Sequence, residues 1–313
     1  MISDKLETLA VHVGRMTDRS HGEVASAIHL STTFERGPDG GYPSGFVYGR
    51  QDNPNRQSLE KLVAALEGGQ QAVAFASGSA ATLAVCHSLQ PGDHVVAPQD
   101  LYYGTRALLG EVMGRWGLQS SFVDMTDLQQ VRAAITPKTR LLWLETPSNP
   151  LLRVTDIAAI CRLAAARGAW SVVDNTWATP VLQRPFQLGA DAVLHAATKY
   201  LGGHSDVFGG VVVCRSGWPL AESVRRIQQQ GGAIPAPFDC WLVVRGIATL
   251  ACRVREQCRS AMRVAEFLAG DRRVERVHYP GLASHPGHEV ALRQMSDFGA
   301  MLSFQVRGDA AAA

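Results

Sequence analysis

Short apolar runs alternate with helical signals between about residue 57 and residue 215, and this alternation constrains the fold more than any other feature of the chain. The runs lack the in-and-out alternation of half-buried strands, which is typical of strands covered on both faces. They comprise residues 72–76, 94–97, 121–123, 141–144, 171–173, 192–194 and 211–214. Short buried strands separated by helices predict an α/β domain built on a mostly parallel sheet.

Three helices and one late strand can be delimited from periodicity and end signals. Residues 57–67 place Leu59, Leu62, Val63 and Leu66 on one face, before a Gly-Gly stop. Residues 155–167 predict a helix with Thr155 as N-cap and Gly168 as its terminal glycine. We expect one long helix over 241–268, linking the first domain to a second, and a strand over 301–306.

Composition and charge exclude several classes of protein. The 313 residues are 46% hydrophobic and 19% charged, which is globular composition, and the net charge of +2 argues against a nucleic-acid partner. No apolar run is long enough for a membrane span, and the first residues show no signal core, so we expect a cytoplasmic protein. The six cysteines contain no C-x-x-C pair, and we predict neither disulfides nor a metal site.

Polar residues gather where the predicted strands end, and ligands of α/β sheets bind beyond those ends. Gly78 and Ser79 follow the first strand and open a helix, where backbone N–H groups favour an anion. Lys199 follows the sixth strand, whereas the other lysines, Lys5, Lys61 and Lys138, lie among polar residues. A helix start combined with this lysine suggests a cofactor that carries both a phosphate and an aldehyde.

Eight sequence blocks in this order resemble the pyridoxal-phosphate enzymes of cysteine and methionine metabolism, the trans-sulfuration family. The resemblance runs from Thr8 to about Gly308. The blocks are Ser-Thr-Thr-Phe at 31–34, Tyr-Gly-Arg at 48–50 before Asn-Pro, Ala-Ser-Gly-Ser-Ala-Ala at 76–81, Asp-Leu-Tyr-Tyr-Gly-Thr at 100–105, Glu-Thr-Pro-Ser-Asn-Pro at 145–150, Val-Asp-Asn-Thr at 173–176, Thr-Lys-Tyr at 198–200 and Gly-His-Ser-Asp at 203–206. The resemblance implies fold type I, the aspartate-aminotransferase-like fold, with a seven-stranded sheet and a smaller C-terminal α/β domain.

The chemistry of the cofactor assigns roles to several of these positions. An amine must form a Schiff base with the aldehyde, and Lys199 is the candidate, with a second role in moving protons at the substrate. Asp174 fits opposite the pyridine nitrogen, although an ordinary turn into Asn175-Thr176 is an alternative. The resemblance places Tyr102 flat on the cofactor ring, with an exchange of roles with Tyr103 left open, and Asn149 near the 3′ oxygen.

For the phosphate, the resemblance implies the N–H groups of Gly78 and Ser79 and the hydroxyl of Thr198. It also implies that Tyr48 and Arg50 reach the site of a neighbouring subunit, so we expect a homo-oligomer, a dimer of dimers. The run Ala196-Ala197-Thr198-Lys199 departs from relatives that carry a serine two residues before the threonine, and one hydroxyl contact is therefore expected to be missing.

The predicted organisation is an arm over residues 1–52 that contacts the neighbouring subunit, a cofactor-binding domain over 53–244, and the start of a C-terminal domain over 245–313. We expect that C-terminal domain to be incomplete. The arginine that clamps the substrate α-carboxylate is expected in a further C-terminal stretch.

The expected activity is γ-elimination or γ-replacement on a sulfur amino acid, of the cystathionine γ-lyase or γ-synthase type. A cystathionine β-lyase or methionine γ-lyase of the same fold is the alternative, and a non-catalytic interaction module is a distant one. Relatives that act at the γ-carbon of cystathionine often carry an arginine two residues after the threonine of the tyrosine block. Here Arg106 follows Thr105 directly and Ala107 holds that position. The sequence leaves the bond, the direction and the exact substrate open.

Overall fold

The computed structural model describes residues 5–15 and 21–308. The outer limits of the predicted arm and of the predicted C-terminal domain, at residues 1 and 313, lie outside the described residues. The chain consists of two compact units. The first consists of Met1–Ser88 and Leu194–Leu250, and the second of Leu89–Val193 and Ala251–Ala313.

Each predicted apolar run forms a strand, and these seven strands belong to one sheet in the order β1-β7-β6-β5-β4-β2-β3. Their bounds are β1 Gln71–Phe75, β2 His94–Pro98, β3 Gln119–Val123, β4 Thr139–Glu145, β5 Trp170–Asp174, β6 Ala192–His195 and β7 Gly210–Cys214. Strand β2 pairs in parallel with β3 and β4, and β4 pairs in parallel with β5. Strand β1 pairs antiparallel with β7. The prediction of a mostly parallel α/β sheet is confirmed.

Helices follow most strands. They are α1 Leu6–His12, α2 Pro54–Glu67, α3 Gly78–His87, α4 Tyr103–Ala107, α5 Met113–Trp116, α6 Leu128–Ala134, α7 Ile157–Ala166, α8 Thr179–Leu182, α9 Ala221–Gly231, α10 Pro237–Ile247, α11 Leu250–Ala269 and α12 His288–Gln294, with a π-helical turn at Leu108–Val112 and a 3₁₀ turn at Pro185–Leu188. In the described part of the chain, no helix is long and apolar enough to cross a membrane.

Helix α2 begins one turn earlier than the periodicity predicts. Pro54 occupies the first turn, and the Asn53 side chain accepts hydrogen bonds from the N–H groups of Asn55 and Arg56. An Asn-Pro pair is a strong start signal because the side-chain oxygen caps the free N–H groups and proline lacks one. The predicted end is correct, since Gly68 adopts the left-handed conformation with φ 77°.

Helix α7 is capped by Asp156 rather than by the predicted Thr155. The Asp156 side chain accepts a hydrogen bond from the N–H of Ala159. The N–H of Thr155 instead donates to the hydroxyl of Thr146, at 3.0 Å, and ties the helix entrance to the loop after β4. A neighbouring carboxylate caps as well as a hydroxyl does, so periodicity leaves this choice open by one residue.

The predicted single helix over 241–268 is wrong, because α10 and α11 are separate helices. The Thr249 hydroxyl donates to the carbonyl of Gly246 at 3.3 Å at the end of α10. A Cβ at Gly246 would lie 2.2 Å from the carbonyl oxygen of Gly202, so the helix contacts the loop after Lys199 through bare backbone. The sequence pattern has no signal for such a contact.

Each unit has its own internal anchor. In the first, the Arg225 guanidinium donates to both carboxylate oxygens of Glu60, at 2.8 and 2.7 Å, and to the carbonyl of Ala72, at 2.6 Å. This pair of a buried carboxylate and a half-buried guanidinium fixes α9 and α2 to strand β1. In the second, β8 Val274–His278 pairs antiparallel with β9 Ser303–Val306, which confirms the predicted late strand.

Candidate active site

Lys199 lies in the turn that follows β6, and its side chain is exposed. The turn is closed by two backbone hydrogen bonds. The N–H of Lys199 donates to the carbonyl of Ala196 at 3.0 Å, and the N–H of Gly203 donates to the carbonyl of Lys199 at 2.8 Å. The backbone at Lys199 is therefore held in place, while its side chain is exposed.

Thr198 ties this lysine turn to the start of β7. The N–H of Gly209 donates to the Thr198 hydroxyl at 3.1 Å, and the Thr198 N–H contacts the Gly209 carbonyl at 3.4 Å. The Thr198 hydroxyl in turn donates to the same carbonyl at 3.4 Å. Thr198 is thus held in place next to Lys199 by the start of β7.

The start of α3 packs directly on the lysine turn. A Cβ added at Gly78 would lie 2.9 Å from the Cβ of Ala196, so glycine is the residue that allows this approach. The Ser77 side chain caps the N–H of Ala80, which leaves the N–H groups of Gly78 and Ser79 among the helix donors without a carbonyl inside the helix. The structure therefore brings Gly78, Ser79, Thr198 and Lys199 together within the first unit.

Tyr48 and Arg50 occupy a turn of the first unit, and the buried side chain of Arg56 holds this turn in place. The Arg56 side chain, 1% exposed, donates to the carbonyls of Gly49 and Arg50 at 3.0 and 3.4 Å. The Arg50 guanidinium lies 5.6 Å from the centroid of the Tyr48 ring and donates to the carbonyl of Gln229 at 2.7 Å. Both Tyr48 and Arg50 are exposed, so the turn presents an aromatic ring and a cation at the surface.

Asp174 is the last residue of β5 in the second unit and is half-buried. Its Oδ1 accepts a hydrogen bond from the N–H of Thr176 at 3.0 Å. The turn that the sequence offered as an alternative role is therefore present. It engages one of the two carboxylate oxygens of Asp174.

Glu145 is the last residue of β4 and is paired in register with Asp174. Its side chain is buried, at 3% exposure, and both of its oxygens accept the N–H of Tyr102, at 3.1 and 3.0 Å. Burial and, next, the charge of Asp174 raise the pKa of Glu145 well above its ordinary value, whereas hydrogen bonds from the N–H groups of Tyr102 and Asn149 act against that rise. Two carboxyl groups with different environments thus lie side by side.

Tyr102 precedes α4, and its ring lies against the backbone of Gly104. A Cβ at Gly104 would be 2.5 Å from Cε1 of Tyr102, so a side chain there would displace the ring. Both tyrosines are exposed, Tyr102 by 51% and Tyr103 by 77%. Of the two tyrosines, Tyr102 has a ring that packs against Gly104 and a backbone N–H that donates to Glu145.

Asn149 is half-buried in the loop after β4, and its N–H donates to Glu145. Nearby, the Ser148 hydroxyl donates to Asp100 in a short hydrogen bond and accepts from the N–H of Arg153 at 2.9 Å. The loop that carries Asn149 is therefore fastened both to β4 and to the segment before Tyr102. Asp174, Tyr102 and Asn149 are brought together in the second unit around Glu145.

Arg106 is engaged in packing. Its guanidinium lies 4.4 Å from the centroid of the Phe122 ring and donates to the carbonyl of Gln99 at 3.0 Å. These contacts hold α4 on β2 and β3. Arg106, which lies one position before the position expected for the arginine, therefore packs against the sheet.

Sequence reasoning missed Glu145 and Asp100 as parts of this arrangement. Each belongs to a quoted block, but neither was given a role. The available signal was a carboxylate that ends a fully apolar strand, because such a group must find hydrogen-bond donors when it is buried. Across residues 5–15 and 21–308, no cluster of His, Cys, Asp and Glu could hold a metal ion.

Comparison with protein families matches residues 7–313 to the model of the Cys/Met metabolism PLP-dependent enzymes. The match covers nearly the whole chain. The chain belongs to this family. Pyridoxal phosphate is accordingly its cofactor, and the fold is fold type I.

Relatives within the family carry different activities in their names. The chain is 50% identical over 307 residues to cystathionine γ-synthase of Mycobacterium tuberculosis, covering 98% of this chain and 79% of the relative. It is 46% identical over 306 residues to cystathionine β-lyase of Coxiella burnetii, covering 97% and 79%. The crystal structure of cystathionine γ-lyase from Lactobacillus plantarum, complexed with L-serine, superposes with a TM-score of 0.93 at 42% identity, covering 97% of this chain and 79% of that chain.

The donor set of the chain fits the family cofactor. In the first unit, Gly78 lets the lysine turn pack closely on the start of α3. The N–H groups at the start of α3 and the hydroxyl of Thr198 are donors of the kind that a phosphate requires. Lys199 offers an exposed amine suited to an aldehyde. In the second unit, Asp174 offers a carboxylate at a strand end, and Tyr102 offers an exposed ring of fixed orientation.

Proposed function

We propose that this protein catalyses γ-elimination or γ-replacement on a sulfur amino acid, with cystathionine or an activated homoserine ester as substrate. The observation that carries the proposal is the contact of Gly78 with Ala196, which sets an anion-binding helix start against the lysine turn. Membership of the family and relatives named for γ-chemistry support the reaction class.

We assign Lys199 to the cofactor aldehyde and Asp174 to the pyridine nitrogen. Bound pyridoxal phosphate supplies an electron sink that stabilises negative charge at the substrate Cα. A carboxylate at Asp174 would hold the proton on the pyridine nitrogen. The Lys199 amine would take the proton from the substrate Cα and serve a second proton transfer at Cβ before the γ-substituent leaves.

The remaining proposed residues bind and orient. The N–H groups of Gly78 and Ser79 and the hydroxyl of Thr198 hold the phosphate, which accounts for their grouping at the start of α3. The ring of Tyr102 lies on the cofactor ring, and Asn149 lies near the 3′ oxygen. We further propose that Tyr48 and Arg50 serve the phosphate of a second chain in a homodimer, and that two dimers associate.

The proposed division of the chain is an arm up to residue 52, a cofactor-binding domain over 53–244 and a further domain from 245. The capped start of α2 at Asn53 supports the first boundary. The cytoplasmic location stays a prediction from composition.

β-Elimination of cystathionine is the second candidate. It is favoured by relatives named cystathionine β-lyase at 46% identity and by the engagement of Arg106 with Phe122 and Gln99. The run from Tyr279 to Leu282, which resembles γ-enzymes, does not decide between the two. Tyr279 is fully buried and its hydroxyl donates to the carbonyl of Gly299 at 2.9 Å, a role in core packing.

Product analysis with cystathionine tests the proposal. γ-Elimination with one water yields 2-oxobutanoate, ammonia and cysteine, whereas β-elimination yields pyruvate, ammonia and homocysteine. We expect 2-oxobutanoate with cysteine, or, if cystathionine is not cleaved, formation of cystathionine from an acylated homoserine and cysteine. Pyruvate with homocysteine would establish the second candidate, and absence of all three reactions would contradict both.

A further inference from the structure

Glu145 contacts two of the proposed cofactor-binding residues and neighbours a third. Its two carboxylate oxygens accept the Tyr102 N–H at 3.1 and 3.0 Å, and the N–H of Asn149 also donates to it. Its strand partner in the β4–β5 register is Asp174.

We propose that Glu145 is a positioning residue, whose carboxyl group fixes the backbones of Tyr102 and Asn149 at the strand end that carries Asp174. The proposal rests on the roles assigned above to those three residues. Burial of the Glu145 side chain at 3% exposure keeps water from competing for its hydrogen bonds, so the geometry it imposes is rigid. Small displacements of groups that orient reactants are costly to a reaction.

Glu145 and Asp174 lie in different environments. Glu145 is buried, whereas Asp174 is half-buried and receives the N–H of Thr176. Burial, then the charge of Asp174 and the charge of Asp100, raise the pKa of Glu145. The carboxyl group that anchors Tyr102 and Asn149 therefore holds its proton to a higher pH than an ordinary glutamate does.

Amide hydrogen exchange on the cofactor-free protein tests the anchoring. Glu145→Ala removes the acceptor, so exchange at Tyr102 and Asn149 should accelerate. Glu145→Gln retains one acceptor oxygen and should keep much of the protection. Glu60→Gln, which removes a buried carboxylate of the first unit, is the matched control and should leave exchange at both amides unchanged. A folded Glu145→Ala protein with wild-type exchange at both positions would overturn the proposal.

The pH dependence of unfolding separates positioning from general packing and uses the isosteric variant. The folded state binds the Glu145 proton more tightly than the unfolded chain, whose glutamates titrate near pH ~4.3. The Glu145 proton therefore contributes its full stabilisation to the wild type below that pH. This contribution is lost as the pH rises through the raised pKa of Glu145. Glu145→Gln does not titrate, so its unfolding temperature relative to wild type should rise over that range. A difference between Glu145→Gln and wild type that is constant with pH would contradict the tighter proton binding by folded Glu145.

In the loaded enzyme, Glu145→Ala should lower kcat about 100-fold, as expected for misplaced orienting groups, and Glu145→Gln should restore most of it. Exchange and unfolding are measured without cofactor or substrate. Failure of the anchoring would therefore appear there, whereas failure of the proposed reaction would appear in the product analysis with the anchoring intact. Equal loss of kcat in both variants, with wild-type exchange in Glu145→Gln, would also contradict the proposal.

Discussion

At the scale of single residues, the chain gives one lysine a setting unlike that of its other lysines. Lys199 lies in a turn closed on Ala196 and packed on Gly78, whereas Lys61 and Lys138, which are exposed like Lys199, lie outside that turn. An amine on a fixed backbone loses less freedom when it forms a covalent bond than one on a mobile segment. This favours Lys199 as the residue that binds the aldehyde.

Lys199→Ala should therefore abolish the borohydride-reducible bond between protein and cofactor. The variant should still bind the cofactor non-covalently, because the phosphate donors of α3 are untouched. Peptide mapping after borohydride reduction measures the bond, with Lys61→Ala and Lys138→Ala as matched controls that keep it. A reduced cofactor still attached to the Lys199→Ala protein, on any other lysine, would show the assignment to be wrong.

Roles could be proposed from the sequence where a side chain has an unusual partner requirement. The candidate roles of Lys199 and Asp174 follow from the needs of an aldehyde and a pyridine nitrogen. The hydrogen bonds that hold Tyr102 do not, because Glu145 lies 43 positions away and the contact exists only once β4 and α4 are in place. Long-range pairing of this kind has no periodic signature in a single sequence.

At the scale of elements, the seven strands were located correctly because each contains a short run of mainly apolar residues, although β3 and β4 extend beyond their predicted runs. Helix limits were less well predicted. Asn53 and Asp156 cap their helices through side-chain oxygens, and α10 contacts the loop after Lys199 through the bare backbone of Gly246. Caps and close approaches are local or tertiary events that hydrophobic periodicity does not record.

Gly78→Ala tests the coupling between α3 and the lysine turn. The added Cβ would lie 2.9 Å from the Cβ of Ala196, so either the helix start or the turn must shift. Overpacking of this kind costs about 1–3 kcal/mol. We expect weaker cofactor binding and a lower unfolding temperature, measured by titration with pyridoxal phosphate and by thermal unfolding.

Gly231→Ala is the matched control for that substitution. Gly231 ends α9, and a Cβ there would meet nothing within 4 Å. Alanine at this position should leave cofactor affinity unchanged and should not destabilise the fold. If Gly78→Ala also left the affinity for pyridoxal phosphate unchanged, the start of α3 would not be the phosphate-binding site.

At the scale of the whole molecule, the proposed homodimer can be tested by mixing variants. If Arg50 serves the neighbouring chain, Arg50→Ala should bind the cofactor more weakly. A hybrid of Arg50→Ala and Lys199→Ala chains should regain activity, because one of its two sites receives the native lysine and the native arginine. Activity of verified hybrids against each parent measures the rescue.

Arg36→Ala provides the control for that experiment. Arg36 lies 5.3 Å from the ring centroid of Tyr42 and donates to its hydroxyl at 3.1 Å, so it repeats the arginine–tyrosine pairing without the proposed role. Its variant should bind the cofactor as the wild type does. Hybrids without activity above that of the parents would place Arg50 in its own chain's site or remove it from the site.

The buried guanidinium of Arg56 has a consequence for the thermodynamics of assembly. Because it holds the carbonyls of Gly49 and Arg50 from within one chain, the Tyr48–Arg50 turn has its shape before any second chain arrives. Segments that fold only on contact spend part of their interaction energy on ordering, whereas a preformed turn does not. The heat-capacity change on association should therefore match the surface buried between folded chains, with no added contribution from folding of this turn.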